Sequence, residues 1–165
     1  MPMEKMGIVA FAFSVQRTGQ NEWISSEVGE LARKGRYPIF TQRYFLEFEN
    51  SLDIEFVQEE PLKPAPTFRI AKEAVQWAIK RGISRLCIIA APPHRRRCVR
   101  DMKFAVRQSK TEIQITVHID SDKTANQVKW FTKGSGQPRT SSRTIWYLRE
   151  TIIILFPWLY RWLAR

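Results

Sequence analysis

The chain has 165 residues, 44% of them hydrophobic and 26% charged, with 7 Gly and 9 Pro. A chain of this length forms one domain that buries about 68–70% of its unfolded surface. The composition excludes a disulfide-stapled miniprotein and a disordered, collagen-like or repetitive chain. The outlier is charge: 27 Lys and Arg against 16 Asp and Glu leave a net +11, a balance that speaks about partners and solubility rather than about fold.

The N-terminal apolar run, Ile8 to Phe13, is too short for a signal peptide or a spanning helix. It opens the first of five strand candidates: Ile8–Ser14, Tyr37–Thr41, Asp53–Gln58, Arg85–Ala91 and Glu112–His118. Helical patterns separate them. Glu22–Lys34 carries Trp23, Val28 and Leu31 near helical spacing, with Gly35 as a stop. Pro66-Thr67 opens a second helix whose apolar stripe, Ile70 to Ile79, runs to Gly82, and Pro92-Pro93 starts a third that reaches about Gln108. This alternation predicts a single α/β domain with a mainly parallel five-stranded sheet between layers of helices.

Two connections are unusual. Gln42–Leu52 gives eleven residues to a link that, between parallel strands, normally needs a dozen or more. It holds a reduced helix, or the third strand pairs differently. Ser121–Ser142, with Gly134-Ser135-Gly136-Gln137-Pro138, reads as a long loop around a short helical piece near Val128–Phe131. Trp130, Phe131 and Lys133 interleave aromatic and basic groups there, a pattern that can stack a nucleobase.

The last segment, about residues 141–164, forms an apolar helix. From Thr151 to Tyr160 it has no charge, and Pro157 lacks the donor for the carbonyl of Ile153, so the helix kinks or breaks there. Ten uncharged residues are too few to span a bilayer. Such a helix covers the sheet, or its Trp and Tyr residues with flanking Arg lie at a membrane interface.

Charge and cysteine placement narrow the partners. Residues 1–60 carry 6 basic and 10 acidic side chains, and residues 61–165 carry 21 and 6. The densest basic stretch runs from Arg95 to Lys110, either a solvated helix face or a site for an anion or nucleic acid. Cys87 and Cys98 suggest neither a disulfide framework nor a zinc site, and they fit a reducing, cytoplasmic compartment. Cys87 lies in an apolar run as a small core residue, whereas Cys98 among arginines is a candidate for a lowered thiol pKa.

Ligands of doubly wound sheets bind outside the carboxyl ends of the strands. Here those ends are followed by Ser14, by Gln42-Arg43, by Glu59-Glu60, and by His94 with Arg95, Arg96 and Arg97. The two adjacent glutamates point to opposite sides in extended chain, so one of them faces such a site. A carboxylate can orient His94, Arg97 can clamp an anion, and the start of the third helix adds positive potential. His94 is then the proton-transfer candidate, or else a loop histidine that contacts backbone. His118, inside the fifth strand, reads as structural. Asp53 and Glu55 lack the Lys that would complete a metal-dependent nuclease motif, and no metal or other cofactor is indicated.

The order of these parts resembles the YdcF/SanA-like (ElyC/SanA/YdcF) family of envelope-associated proteins. The resemblance is carried by an acid after the third strand (Glu59 or Glu60), Thr67 opening the next helix, His94-x-x-Arg97 after the fourth strand, and Arg149-Glu150 in an aromatic-rich apolar segment. It covers about residues 7–164. It implies a Rossmann-like core with a crevice formed by Ser14, Glu59 or Glu60, Thr67, His94 and Arg97, and the binding or processing of a small phosphate-bearing or nucleotide-like anion. Family members carry glycines after the first two strands, where this chain has Phe13-Ser14 and Thr41-Gln42. Without them the backbone approaches a phosphate less closely. Two other functions fit the residues: a nucleic-acid-binding module using Arg95, Arg96, Arg100, Lys103, Arg107 and Lys110, and a peripheral membrane or assembly protein acting through its last helix.

Overall fold

A computed structural model describes residues 5–14, 19–44, 46–60, 64–119, 125, 127–132, 142–156, 158 and 160. The elements are β1 (Met6–Phe11), α1 (Gly19–Gly35), β2 (Ile39–Thr41), β3 (Ile54–Phe56), α2 (Thr67–Arg81), β4 (Arg85–Ala90), α3 (Pro92–Gln108), β5 (Gln114–Val117) and α4 (Arg143–Leu155). The five strands form one sheet in the order β3-β2-β1-β4-β5, parallel throughout. β1 and β4 pair over six residues, Met6 with Arg85 through Phe11 with Ala90. This Rossmann-like order reverses direction between β1 and β4, so the crevice of the fold opens beyond Phe11 and Ala90.

Side-chain alternation sorts the core into two layers. Val9 and Phe11 of β1 and Leu86, Ile88 and Ala90 of β4 face the apolar stripes of α2 and α3. Ile8, Ala10, Ile89 and Ala91 face Ile24, Val28 and Ala32 of α1, together with Trp146 of α4. Strands covered on both sides read as unbroken apolar runs, which is why β1 and β4 were plain in the sequence. In α1 the buried stripe is Asn21, Ile24, Val28 and Ala32, while Trp23 and Leu31 lie at its margin.

The short link after β2 carries no helix among its described residues. β3 nevertheless pairs in parallel with β2, and Leu46 of the link is buried on the α1 side beside Phe48 and Leu52. β1 stops at Phe11 rather than at Ser14. The Ala12 amide donates to the Gln42 Oε1 atom at 3.0 Å and the Phe13 amide to Asn21 Oδ1 at 3.0 Å, so side chains take the bonds that a neighbouring strand would supply.

Helix ends show how local chemistry sets the boundaries. Gly35 does not terminate α1 in the left-handed conformation. Arg36 does, with φ 52°, and the Tyr37 amide donates back to Ala32. Gly35 instead leaves room for the Tyr37 ring, which a Cβ at that position would force to shift. Gly82 does end α2 as a left-handed cap, φ 63°, with its amide and that of Ile83 reaching back to Ala78. At the other end, α4 stops at Leu155, short of residue 164. Phe156, the residue before Pro157, leaves the helical region with ψ 60°, as a residue preceding proline is driven to do. Trp158 and Tyr160 are again helical, and the Tyr160 amide donates to Phe156. Pro157, Lys133 and the Gly134–Pro138 turn lie outside the described residues.

Replacing Gly82 by Ala forces a Cβ into the left-handed region. It should lower unfolding stability by about 1–2 kcal/mol with an unchanged m-value in urea. An effect near zero would mean that the cap is not held as described.

Candidate functional site

The site assembles where the order of strands reverses. Pro92-Pro93 begins α3 directly after β4, and helical spacing then turns His94, Arg97, Cys98 and Asp101 inward while Arg96, Lys103 and Arg107 stay exposed. α2 lies beside α3, so its first residue, Thr67, comes near the same point. The Thr67 Oγ1 and His94 Nε2 atoms are 3.5 Å apart, and Arg97 Nη2 lies 3.0 Å from His94 Nδ1. The three side chains are all buried.

The C-terminal segment closes over them. Trp146 of α4 is buried against His94, with ring centroids 5.6 Å apart at 79°, and its indole Nε1–H points to the Pro93 carbonyl at 3.4 Å. Phe11 and Phe13 complete an aromatic wall around the imidazole at 6.4 and 6.5 Å. One turn beyond Trp146, Glu150 places Oε1 2.6 Å from Arg97 Nη1, and both groups are nearly out of water. The Arg97 guanidinium also lies over the rings of Trp146 and Tyr160, at 5.5 and 5.9 Å. The Tyr160 hydroxyl reaches the Thr67 side chain and the Phe68 amide at the start of α2, a helix that has no side-chain cap of its own. The carbonyl of Ile153, which Pro157 cannot serve because it has no N–H, accepts instead from Arg100 Nη1 at 3.3 Å.

Electrostatics follow from this enclosure. Burial raises the Glu150 carboxyl above its ordinary value, against the pull of Arg97, Arg149 and Arg100. Burial also lowers Arg149, aided by repulsion from Arg97. Cys98, expected to have a lowered pKa, is corrected: it is fully buried, and burial pushes its thiol well above the usual range despite Arg97. Neighbours in sequence are not neighbours in space on a helix, and Cys98 faces the core while most of its basic neighbours do not. It is an inert core thiol at neutral pH.

The other sequence candidates are placed elsewhere. Glu59 accepts from the amides of Arg43 and Ala65 at 3.0 and 3.2 Å, tying two loops together. Glu59 and Glu60 both line an open cleft of about 530 Å³ with Gln58, Pro64, Ala65, Pro66 and Arg69. The carboxylate in contact with Arg97 is instead Glu150 of α4. Ser14 is buried next to Phe13, and Asn21 Nδ2 donates to both its carbonyl and its hydroxyl at 3.0 and 3.3 Å. Asn21, Trp146 and Tyr160 thus shape the crevice without having been singled out for it, and Gln42, noted at the end of the second strand, does so through its bond to the Ala12 amide. A polar residue on the buried stripe of α1 was the available signal for Asn21. His118 lies on the far side of β4, 3.3 Å from Glu27 of α1, a structural pairing. The helical turn expected near Val128–Phe131 falls at Ala125 and Gln127. Trp130 and Phe131 pack edge-on against Phe13, with Trp130 also on Trp23 and Phe131 on Trp146, which engages their rings within the protein.

No protein-family model matches the chain, and no curated protein matches its sequence. Among the described residues no cluster of three or more His, Cys, Asp or Glu could hold a metal ion. The site is thus a buried His–Arg–Thr cluster at a helix N-terminus, closed by a carboxylate and two aromatic rings of the chain's own C-terminal segment. Because the fold holds the Glu150 proton more tightly than the unfolded chain does, its contribution to stability is full below about pH 4.5 and is lost as pH rises through the raised folded value. Denaturant unfolding of wild type and Glu150→Gln across mildly acid pH should therefore show wild type losing stability relative to the variant as pH rises. A difference that stays constant, or that runs the other way, would contradict the assignment.

Proposed function

We propose that the protein binds a small phosphate-bearing anion at the His94–Arg97–Thr67 cluster, and that α4 acts as a closure over that site. One observation carries the reading: the buried guanidinium that would clamp the anion is held at 2.6 Å by a carboxylate of the same chain. Glu150 stands where an anionic group would stand, and the Tyr160 oxygen takes the α2 N-terminal amide that a second anionic oxygen would use. Arg97 Nε and Nη1 and Glu150 Oε1 are buried without an aligned hydrogen bond among the described residues, so the 2.6 Å contact is an ion pair that leaves hydrogen-bonding capacity for an anion. Displacing α4 would expose Arg97, His94 and two helix N-termini together, a combination suited to a phosphate ester. His94, between the Thr67 hydroxyl and Arg97, is the group that would transfer a proton if a reaction follows binding. Membership of the YdcF/SanA-like family, with its link to the cell envelope, belongs to this proposal and rests on the motif residues Thr67, His94, Arg97 and Arg149-Glu150 that carry the resemblance.

A second reading is favoured by one observation. Arg96, Lys103 and Arg107 are exposed at spacings that place them along one side of α3, with exposed Lys110 just past its end, a ridge suited to nucleic-acid phosphates. Arg100 does not belong to it fully, since it is turned toward Asp101 and Ile153.

Thermal shift with pyrophosphate, nucleotides and sugar phosphates separates the two. At a hundredfold excess over Kd a bound ligand should raise Tm by about 5–10 °C. The shift should be larger in Glu150→Gln, where the competing carboxylate is neutral, and absent in Arg97→Ala. No shift in wild type or Glu150→Gln with any of these ligands, together with salt-dependent retention on DNA or RNA, would transfer the function to the α3 ridge.

A further inference from the structure

α4 is apolar on both sides, and only one side is used. Trp146, Glu150 and Ile153 face inward, whereas Ile145, Tyr147, Leu148, Ile152, Ile154 and Leu155 are between 44% and 65% exposed. At 3.6 residues per turn the exposed apolar positions spread over about half of the helix circumference. Phe156 and Trp158 extend the same surface past the helix end, 48% and 67% exposed.

We infer that this face of α4 docks on an anionic phospholipid surface. Charge complementarity selects that occupant. From Lys123 to the last residue, Arg165, the sequence has eight Lys and Arg and a single acid, Glu150. That acid is the one turned inward onto Arg97, so among the described residues α4 presents no carboxylate on its apolar face, and Arg143 flanks that face over the ring of Tyr147 at 5.6 Å. Apolar residues between aromatic side chains, with cations and no anions, match the boundary between headgroups and acyl chains. A second copy of the chain fits less well. The 3-and-4-spaced stripe of Ile145, Leu148, Ile152 and Leu155 is shorter than two heptads, where helix pairing needs three or four. The exposed face is also wider than such a seam. Among the described residues no helix is long and apolar enough to cross a membrane, so the contact is one of lying on the surface. This inference does not depend on what the His94 site binds.

Co-sedimentation of the full chain with vesicles tests it, using phosphatidylcholine alone and phosphatidylcholine containing about a third phosphatidylglycerol. Wild type should partition onto the anionic vesicles and onto the neutral ones weakly, with binding reduced in about 0.5 M NaCl. The double variant Ile152→Glu/Leu155→Glu should lose at least about tenfold in partitioning. Both positions are exposed, so its thermal unfolding should match wild type. The milder pair Ile145→Gln/Leu148→Gln serves if it does not, and should weaken partitioning in the same direction. Wild type that stays in solution with both vesicles overturns the inference, as does equal partitioning of wild type and folded variants. A dimer that these changes dissociate, without vesicle binding, overturns it in favour of a second copy.

Discussion

The arrangement depends on one buried ion pair. Removing a carboxylate and a guanidinium from water costs several kcal/mol per ion, and the attraction between them offsets this only when geometry is good and the remaining donors and acceptors are served. Arg97 and Glu150 meet at 2.6 Å without an aligned hydrogen bond between Nη1 and Oε1, and the guanidinium lies over the rings of Trp146 and Tyr160. The pair fixes α4 against the start of α3. Three contacts advance together along the two helices: Trp146 to Pro93, Glu150 to Arg97, and Arg100 to Ile153. α4 therefore runs alongside α3 in the same direction. That register buries the crevice at the β1–β4 switch point, and it also leaves the opposite side of α4 in solvent. By comparison, the exposed pairs Arg33–Glu49 and Lys34–Glu30 contribute about 0–1 kcal/mol each and decide nothing about the fold.

The charge asymmetry has a structural distribution that the net value hides. Much of the acidic first third is engaged in local pairing, for example Asp53 and Glu55 with Arg81 at 2.5 and 3.5 Å. Within the basic remainder three groups stand out. Arg97, Arg100 and Arg149 surround Glu150, Arg96 with Lys103 and Arg107 forms an outward ridge on α3, and Arg143 flanks the apolar face of α4. Each place has a different electrostatic consequence. Only the first is shielded from salt by burial.

What could be read from the residues follows from where the information is local. Pro92-Pro93 gave α3 its observed start, and Pro66-Thr67 with Gly82 gave α2 both its limits, because proline and glycine act on their own backbone. The apolar runs of β1 and β4 marked the centre of the sheet. His94, Arg97 and Thr67 were legible as one group because all three follow the carboxyl ends of parallel strands, on one rim of the sheet, although β3 and β4 are not neighbours and it is the packing of α2 beside α3 that brings Thr67 to His94. Long-range partners were not. Nothing near Glu59 indicates that its oxygens bind the amides of Arg43 and Ala65, and nothing near Ser14 indicates its capture by Asn21. Glu150 was noticed beside Arg149, yet its place on Arg97 depends on how α4 docks, which hydrophobic pattern alone leaves open when a helix is apolar all round. The Cys98 thiol shows the reverse error, in which sequence proximity to arginine suggested activation while helical phase carried the residue into the core.

A double-mutant cycle on Arg97 and Glu150 tests the central claim most directly. Arg97→Met and Glu150→Leu are made singly and together, and unfolding free energies are measured in urea at neutral pH. Each single change leaves one buried charge without its partner and should cost about 3–5 kcal/mol, whereas the double change, which removes both charges, should cost less than either. Additive costs would contradict the account, since they would mean that the two groups do not hold α4 on the site through each other.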